Sequence, residues 1–145
     1  MTAAKFIAIC GLAMLTGCGG KGTAATETKP TPPAPAKQVN AIALDDALFA
    51  QHVTGETNGV AMVDFWSAWC APCIKMAPDI EALATEFKGQ AFVGKVDLDV
   101  YENLGTKHNV LALPCLLIFK GGKEIDRREG PATREQLKEF LKRNL

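Results

Sequence analysis

Cys70-Ala71-Pro72-Cys73 is the stretch of this sequence best equipped for chemistry. At the start of a helix, residues three apart face the same side, close enough for a disulfide, whose Cα atoms must lie within about 4.4–6.8 Å. The unsatisfied N–H groups and positive dipole end of such a helix favour thiolate on Cys70, making it the better nucleophile. Pro72 suits the first helical turn, where a missing N–H costs nothing. Thiol–disulfide exchange is the chemistry implied. Its rival is zinc, because half of a zinc ribbon has the same spacing. A four-ligand set can be drawn from Cys70, Cys73, Cys115 and either His52 or His108, but the sequence has no second closely spaced ligand pair.

Upstream, Asp64 sits inside V-A-M-V-D-F-W, residues Val60 to Trp66. A nearly unbroken apolar run of strand length predicts a central strand covered on both faces. Burial raises the pKa of a carboxyl group and lets it exchange protons near neutral pH. The competing reading of Asp64 is an outward-facing, solvated strand residue.

These groups need a scaffold, and the patterning supplies one. A helix is predicted from Pro72 to about Phe87, with Ile80, Leu83, Ala84 and Phe87 at helical spacing, Gly89 beyond its end and a kink at Pro78. Asp45 to His52 reads as a short first helix, Phe92 to Leu98 as a second strand, and Glu102 to Lys107 as a short helical patch. Cys115 to Phe119 reads as a third strand, and Gly121-Gly122 as a hairpin turn into Glu124 to Arg128. Thr133 caps a last helix whose inward face is Leu137, Phe140 and Leu141. Alternating helical and strand-like stretches indicate an α/β layer fold.

Trp69-Cys70-Ala71-Pro72-Cys73, following V-D-F-W-S-A, resembles the active-site segment of thioredoxins, whose usual central dipeptide is Gly-Pro. The resemblance runs from Ala41 to Leu145 through Asp64, Pro78, Lys95, Leu113-Pro114 before L-L-I-F, a K-x-G turn and Gly130. It implies the thioredoxin fold, a central mixed β-sheet flanked by helices on both faces. It also implies a thiol–disulfide oxidoreductase that needs no cofactor beyond a redox-active Cys70–Cys73 disulfide and acts on protein disulfides.

Under the same resemblance Cys70 attacks, Cys73 resolves, and Asp64 accepts the Cys73 proton, with Lys95 either pairing with it or solvated. Pro114 matches the family's cis-proline, beside which the backbone of Leu113 helps hold a substrate strand. Trp69, just before the pair, and Pro72, within it, are expected substrate contacts under the resemblance; Trp69 alternatively joins the core, or shields the site and offers an apolar contact surface. Two residues depart from the usual pattern: Ala71 replaces Gly, and Cys115 stands where Thr is common. Cys115 reads as a small core residue, with a third redox thiol as the alternative, and His52 and His108 read as surface residues. The motif resembles reducing members more than oxidising ones. The rivals are an oxidant or isomerase using the same site, and a binding module that uses the surface without turnover.

The first forty residues have a different character. Met1 to Gly17 carries one positive charge, Lys5, then an apolar run from Phe6 to Leu15 and small residues, the pattern of a secretory signal. An apolar run of this length is too short to span a hydrocarbon core that needs about 20 residues. Leu15-Thr16-Gly17-Cys18 resembles the lipobox of bacterial lipoproteins, which implies cleavage before a lipidated Cys18; the alternative is ordinary secretory cleavage with Cys18 left as a thiol. From Gly19 to Asn40 the chain is dominated by Gly, Thr, Ala, Lys and Pro and reads as a linker, with a contour limit of about 70 Å. The expected organisation is a lipoprotein signal at 1–17, an anchor and linker at 18–40, and one domain at 41–145. That places the domain, as a monomer, in the bacterial cell envelope on the extracytoplasmic side. A membrane thiol carrier is the electron source expected there. Sixteen basic and sixteen acidic residues cancel, which gives no sign of nucleic-acid binding.

Overall fold

The computed structural model describes residues 41–55 and 59–145. The expected signal segment, Cys18 and the linker lie outside them. The chain forms β1 (Ile42–Ala43), α1 (Asp46–Phe49) continued by a π-helical turn (Ala50–Thr54), β2 (Val60–Trp66), α2 (Ala71–Glu86) and β3 (Ala91–Asp97). It then forms α3 (Glu102–Lys107), β4 (Cys115–Lys120), β5 (Lys123–Glu129) and α4 (Arg134–Lys142). The five strands make one sheet in the order β1-β3-β2-β4-β5. β1 and β2 run parallel to β3, while β4 is antiparallel to both β2 and β5, so the sheet is mixed.

β2 is central because its sequence can be buried on both faces. Val60 and Met62 pack with Met76, Ile80 and Leu83 of α2 and Leu137, Phe140 and Leu141 of α4. Ala61, Val63 and Phe65 point the other way, onto Phe49 and Val53 of the α1 region and Leu104 of α3. The period-two alternation of a strand thus splits one apolar run between two helical layers. β4 does the same, sending Leu116 and Ile118 to the α2/α4 side and Cys115, Leu117 and Phe119 to the opposite side.

Several boundaries differ from expectation for local reasons. Asp45 caps the first helix instead of beginning it: its Oδ1 accepts the Leu48 N–H at 2.7 Å, and α1 ends at Phe49 before the π-helical turn. β1, two residues long, is too short to show a period in sequence. α2 continues through Pro78 as one helix. The β4–β5 turn is as expected: Lys120 pairs with Lys123, and Gly121 and Gly122 both adopt positive φ, 57° and 74°. A register shift beyond that turn leaves Ile125 outside the pairing and 48% exposed.

Candidate active site

β2 ends at Trp66, and the residues that follow turn into α2. The Cys70 N–H donates to the Ser67 carbonyl at 3.2 Å, and Cys70 takes the extended conformation of a helix N-cap. Its Sγ accepts the Cys73 N–H at 3.3 Å, so the sulfur does what a capping oxygen would do for an orphan amide. Cys70 and Cys73 form a disulfide with their Cα atoms 5.3 Å apart, and both residues are buried. The turn is held from β3's side by Asp99, which accepts the Ala68 N–H and the Trp69 indole N–H, each at 2.9 Å. Trp69 is therefore an exposed plate, 74% accessible, fastened at its edge rather than a core aromatic. Sequence reasoning missed Asp99; an acidic residue just past the β3 strand run is the signal that was there.

Asp64 follows Val60 and Met62 in the alternation of β2, so it faces the α2/α4 layer, and it is 2% exposed. Cys73 lies on the buried face of α2 with Met76, Ile80 and Leu83, the face turned to the same layer. Burial pushes the Asp64 carboxyl up to about 7, with Lys95 pulling in the opposite direction. Asp64 Oδ1 is buried without a hydrogen-bond partner.

Lys95 is the register partner of Asp64 on β3, yet it neither pairs with Asp64 nor reaches solvent, contrary to both readings from sequence. At 3% exposure its ammonium needs a counter-charge, and it donates to Glu81 Oε1 of α2 at 2.6 Å. The second oxygen of Glu81 accepts the Ala41 N–H at 2.8 Å. Glu81 was not anticipated; only the fold brings α2 over β3.

The Leu113–Pro114 peptide bond is cis, and Pro114 is buried immediately before β4, the strand next to β2. Trp69 and Leu113 line one open groove with Asp99, Glu102, Val110 and Leu111. Leu111 is 90% exposed on the groove's rim, and Ile74, the residue after Cys73, is 54% exposed. Pro72, in the first turn of α2, is partly exposed beside the pair.

Cys115 is fully buried on the other side of the sheet, where burial pushes its thiol up to about 11. Cys115 packs there with Leu117 and Phe119 as a small core residue. His52 stacks on Phe92 with ring centroids 4.9 Å apart. His108 packs against Phe49 and Phe119 and is partly buried, not a free surface residue. The ligand set drawn for zinc is therefore not assembled, and no group of three or more His, Cys, Asp or Glu side chains forms a metal cage among the described residues.

Comparison with known proteins agrees with this geometry. The thioredoxin family model matches residues 40–143. Thioredoxins of Staphylococcus aureus strains Mu50, MW2 and N315 are each 39% identical over 88 residues, covering 61% of this chain and 85% of theirs. Members of that family act on protein disulfides through a redox-active cysteine pair and need no bound cofactor. With the Cys70–Cys73 disulfide at the head of α2 and a family match that spans the whole sheet, the chain belongs to the thioredoxin family and is a thiol–disulfide oxidoreductase.

Proposed function

We propose that this protein reduces protein disulfides on the extracytoplasmic side of a bacterial membrane, held there by a lipidated Cys18. The observation that carries the catalytic part is the cysteine pair capping α2, with Cys73 on the buried face above the Asp64 layer. In the dithiol form the Cys70 thiolate attacks one sulfur of a substrate disulfide. A Cys70–substrate bond forms as the substrate S–S bond breaks, and the first substrate thiolate leaves. Cys73 then gives its proton to Asp64 and attacks Cys70 Sγ. That step restores the Cys70–Cys73 disulfide and releases the second substrate thiolate, so two electrons have passed to the substrate.

The Cys73 N–H on Cys70 Sγ and the dipole of a sixteen-residue helix both favour negative charge on the attacking sulfur. A carboxyl group at about 7 is matched to accepting a proton near neutral pH. The exposed Trp69 and Leu111 give an extended substrate segment an apolar bed, with the backbone of Leu113 beside it. Leu15-Thr16-Gly17-Cys18 and the Pro-rich segment after it support an anchor and a tether. Two or three acyl chains on Cys18 give stable attachment, at about 0.8 kcal/mol per buried methylene. Because the cytosolic nicotinamide-linked reductases do not reach that compartment, a membrane thiol carrier regenerates the dithiol form.

The test is Cys73→Ser, which removes the resolving thiol. The variant is expected to accumulate thiol-sensitive adducts with substrate proteins in membranes, and Cys70→Ala to form none. Absence of adducts from Cys73→Ser would contradict the reading.

A further inference from the structure

Asp64 and Lys95 face each other across β2 and β3, both buried on the side covered by α2. Opposite charges so placed ordinarily pair, and the pairing locks the carboxylate in its ionised form. Here the ammonium is drawn elsewhere. Lys95 Nζ donates to Glu81 Oε1 at 2.6 Å, and Glu81 is itself fixed from the other side by the Ala41 N–H at 2.8 Å, just ahead of β1. Glu81 projects from α2 about two turns beyond Cys73, so the helix that carries the resolving thiol also carries the group that holds Lys95. Asp64 Oδ1 is left in the interior with no hydrogen-bond partner.

We infer that Glu81 is a positioning residue of the exchange site: by holding the Lys95 ammonium it keeps Asp64 out of an ion pair, so that the Asp64 carboxyl can take up and return the Cys73 proton. The inference rests on the reading of Asp64 as the acceptor for Cys73. The Glu81 charge occupies the cation that would otherwise stabilise an ionised Asp64. The proton affinity of Asp64 is high because burial dominates and the influence of Lys95 offsets it only in part.

The other groups around Asp64 do not substitute for Glu81. β3 contributes Lys95, and α2 contributes Cys73 and Glu81. The register partner from β4 is Leu116. α4 adds Leu137, Phe140 and Leu141 to this layer, none of which titrates. Cys115 acts on Asp64 electrostatically from the opposite side of the sheet, but its thiol stays neutral through the neutral range.

The test compares wild-type protein with Glu81→Gln, which keeps the side chain's size and an oxygen for Lys95 while removing the charge. In the oxidised protein, carboxyl-carbon NMR of labelled aspartate reads the Asp64 midpoint directly. Glu81→Gln is expected to lower it by about one pH unit, and to move the pH profile of insulin reduction in the same direction. Glu81→Asp keeps the charge but shortens the reach, so it folds with its buried ammonium still countered and is expected to give a smaller fall. A midpoint that stays put or rises in both variants overturns the inference. Asp64→Asn separates the two levels. If it leaves the pH profile of reduction unchanged while the midpoint still falls in Glu81→Gln, Asp64 is not the proton acceptor, and the catalytic consequence fails with it.

Discussion

Asp64 combines a buried position with a carboxyl group that holds its proton up to about pH 7, whereas an unfolded chain releases it near 3.8. Between those values the folded state binds more protons than the unfolded one, so stability falls as pH rises through that window and is lowest above it. The full difference is on the order of 4 kcal/mol at 1.36 kcal/mol per pH unit. Asp64→Asn abolishes this ionisation. In urea unfolding of the oxidised protein it is expected to gain on wild type as pH rises from 5 to 8.5, by roughly 2–4 kcal/mol at the upper end. A stability gap independent of pH would contradict the assignment. Asp64's burial was legible because Met62, Val63, Phe65 and Trp66 around it are all apolar. The partner of Lys95 was not legible, since Glu81 precedes it by fourteen positions on a different element and only packing joins them. Asp99 was missed for the same reason: its two bonds to the 68–69 turn cross the gap between strands.

Some element signals are local and plain in the sequence, while others arise only from pairing. The α4 start is an example of the first kind. Thr133 accepts the Gln136 N–H while the Gln136 side chain accepts the Thr133 N–H at 3.0 Å, a reciprocal cap written in four consecutive residues. Thr133→Ala is expected to cost about 1 kcal/mol in denaturant unfolding without changing disulfide reduction. Loss of activity in excess of that stability change would mean α4 touches the site. β1 is an example of the second kind. Two residues have no period, and Ile42–Ala43 become a strand only because Gly94 and Lys95 of β3 offer them an edge. Gly94 belongs there because a Cβ on it would lie 2.6 Å from a Leu44 side-chain carbon. The turn between β2 and α2 falls between the two cases: its Cys-x-x-Cys spacing was plain, but its anchoring from Asp99 was not.

On the scale of the whole chain, the proposed order of chemistry is address, tether, then reactive domain, and the structure describes the domain. Its sheet brings β2, β3 and β4 together so that the cysteine turn, Asp64 and the cis-proline bond converge at one end and one layer. In the proposed function, attachment is assigned to the first residues alone. Cys18→Ala is expected to move the protein from the membrane fraction to the soluble fraction while leaving insulin reduction by the purified protein unchanged; retention in the membrane would exclude lipid anchoring. The direction of electron flow is the claim on which the functional account turns, and equilibrium with glutathione buffers, read by thiol alkylation and mass, measures it. The account predicts one reversible two-electron transition of Cys70 and Cys73 with a potential more negative than about −240 mV, so that the protein donates electrons to substrates. A pair that stays in the dithiol form under oxidising glutathione would contradict it.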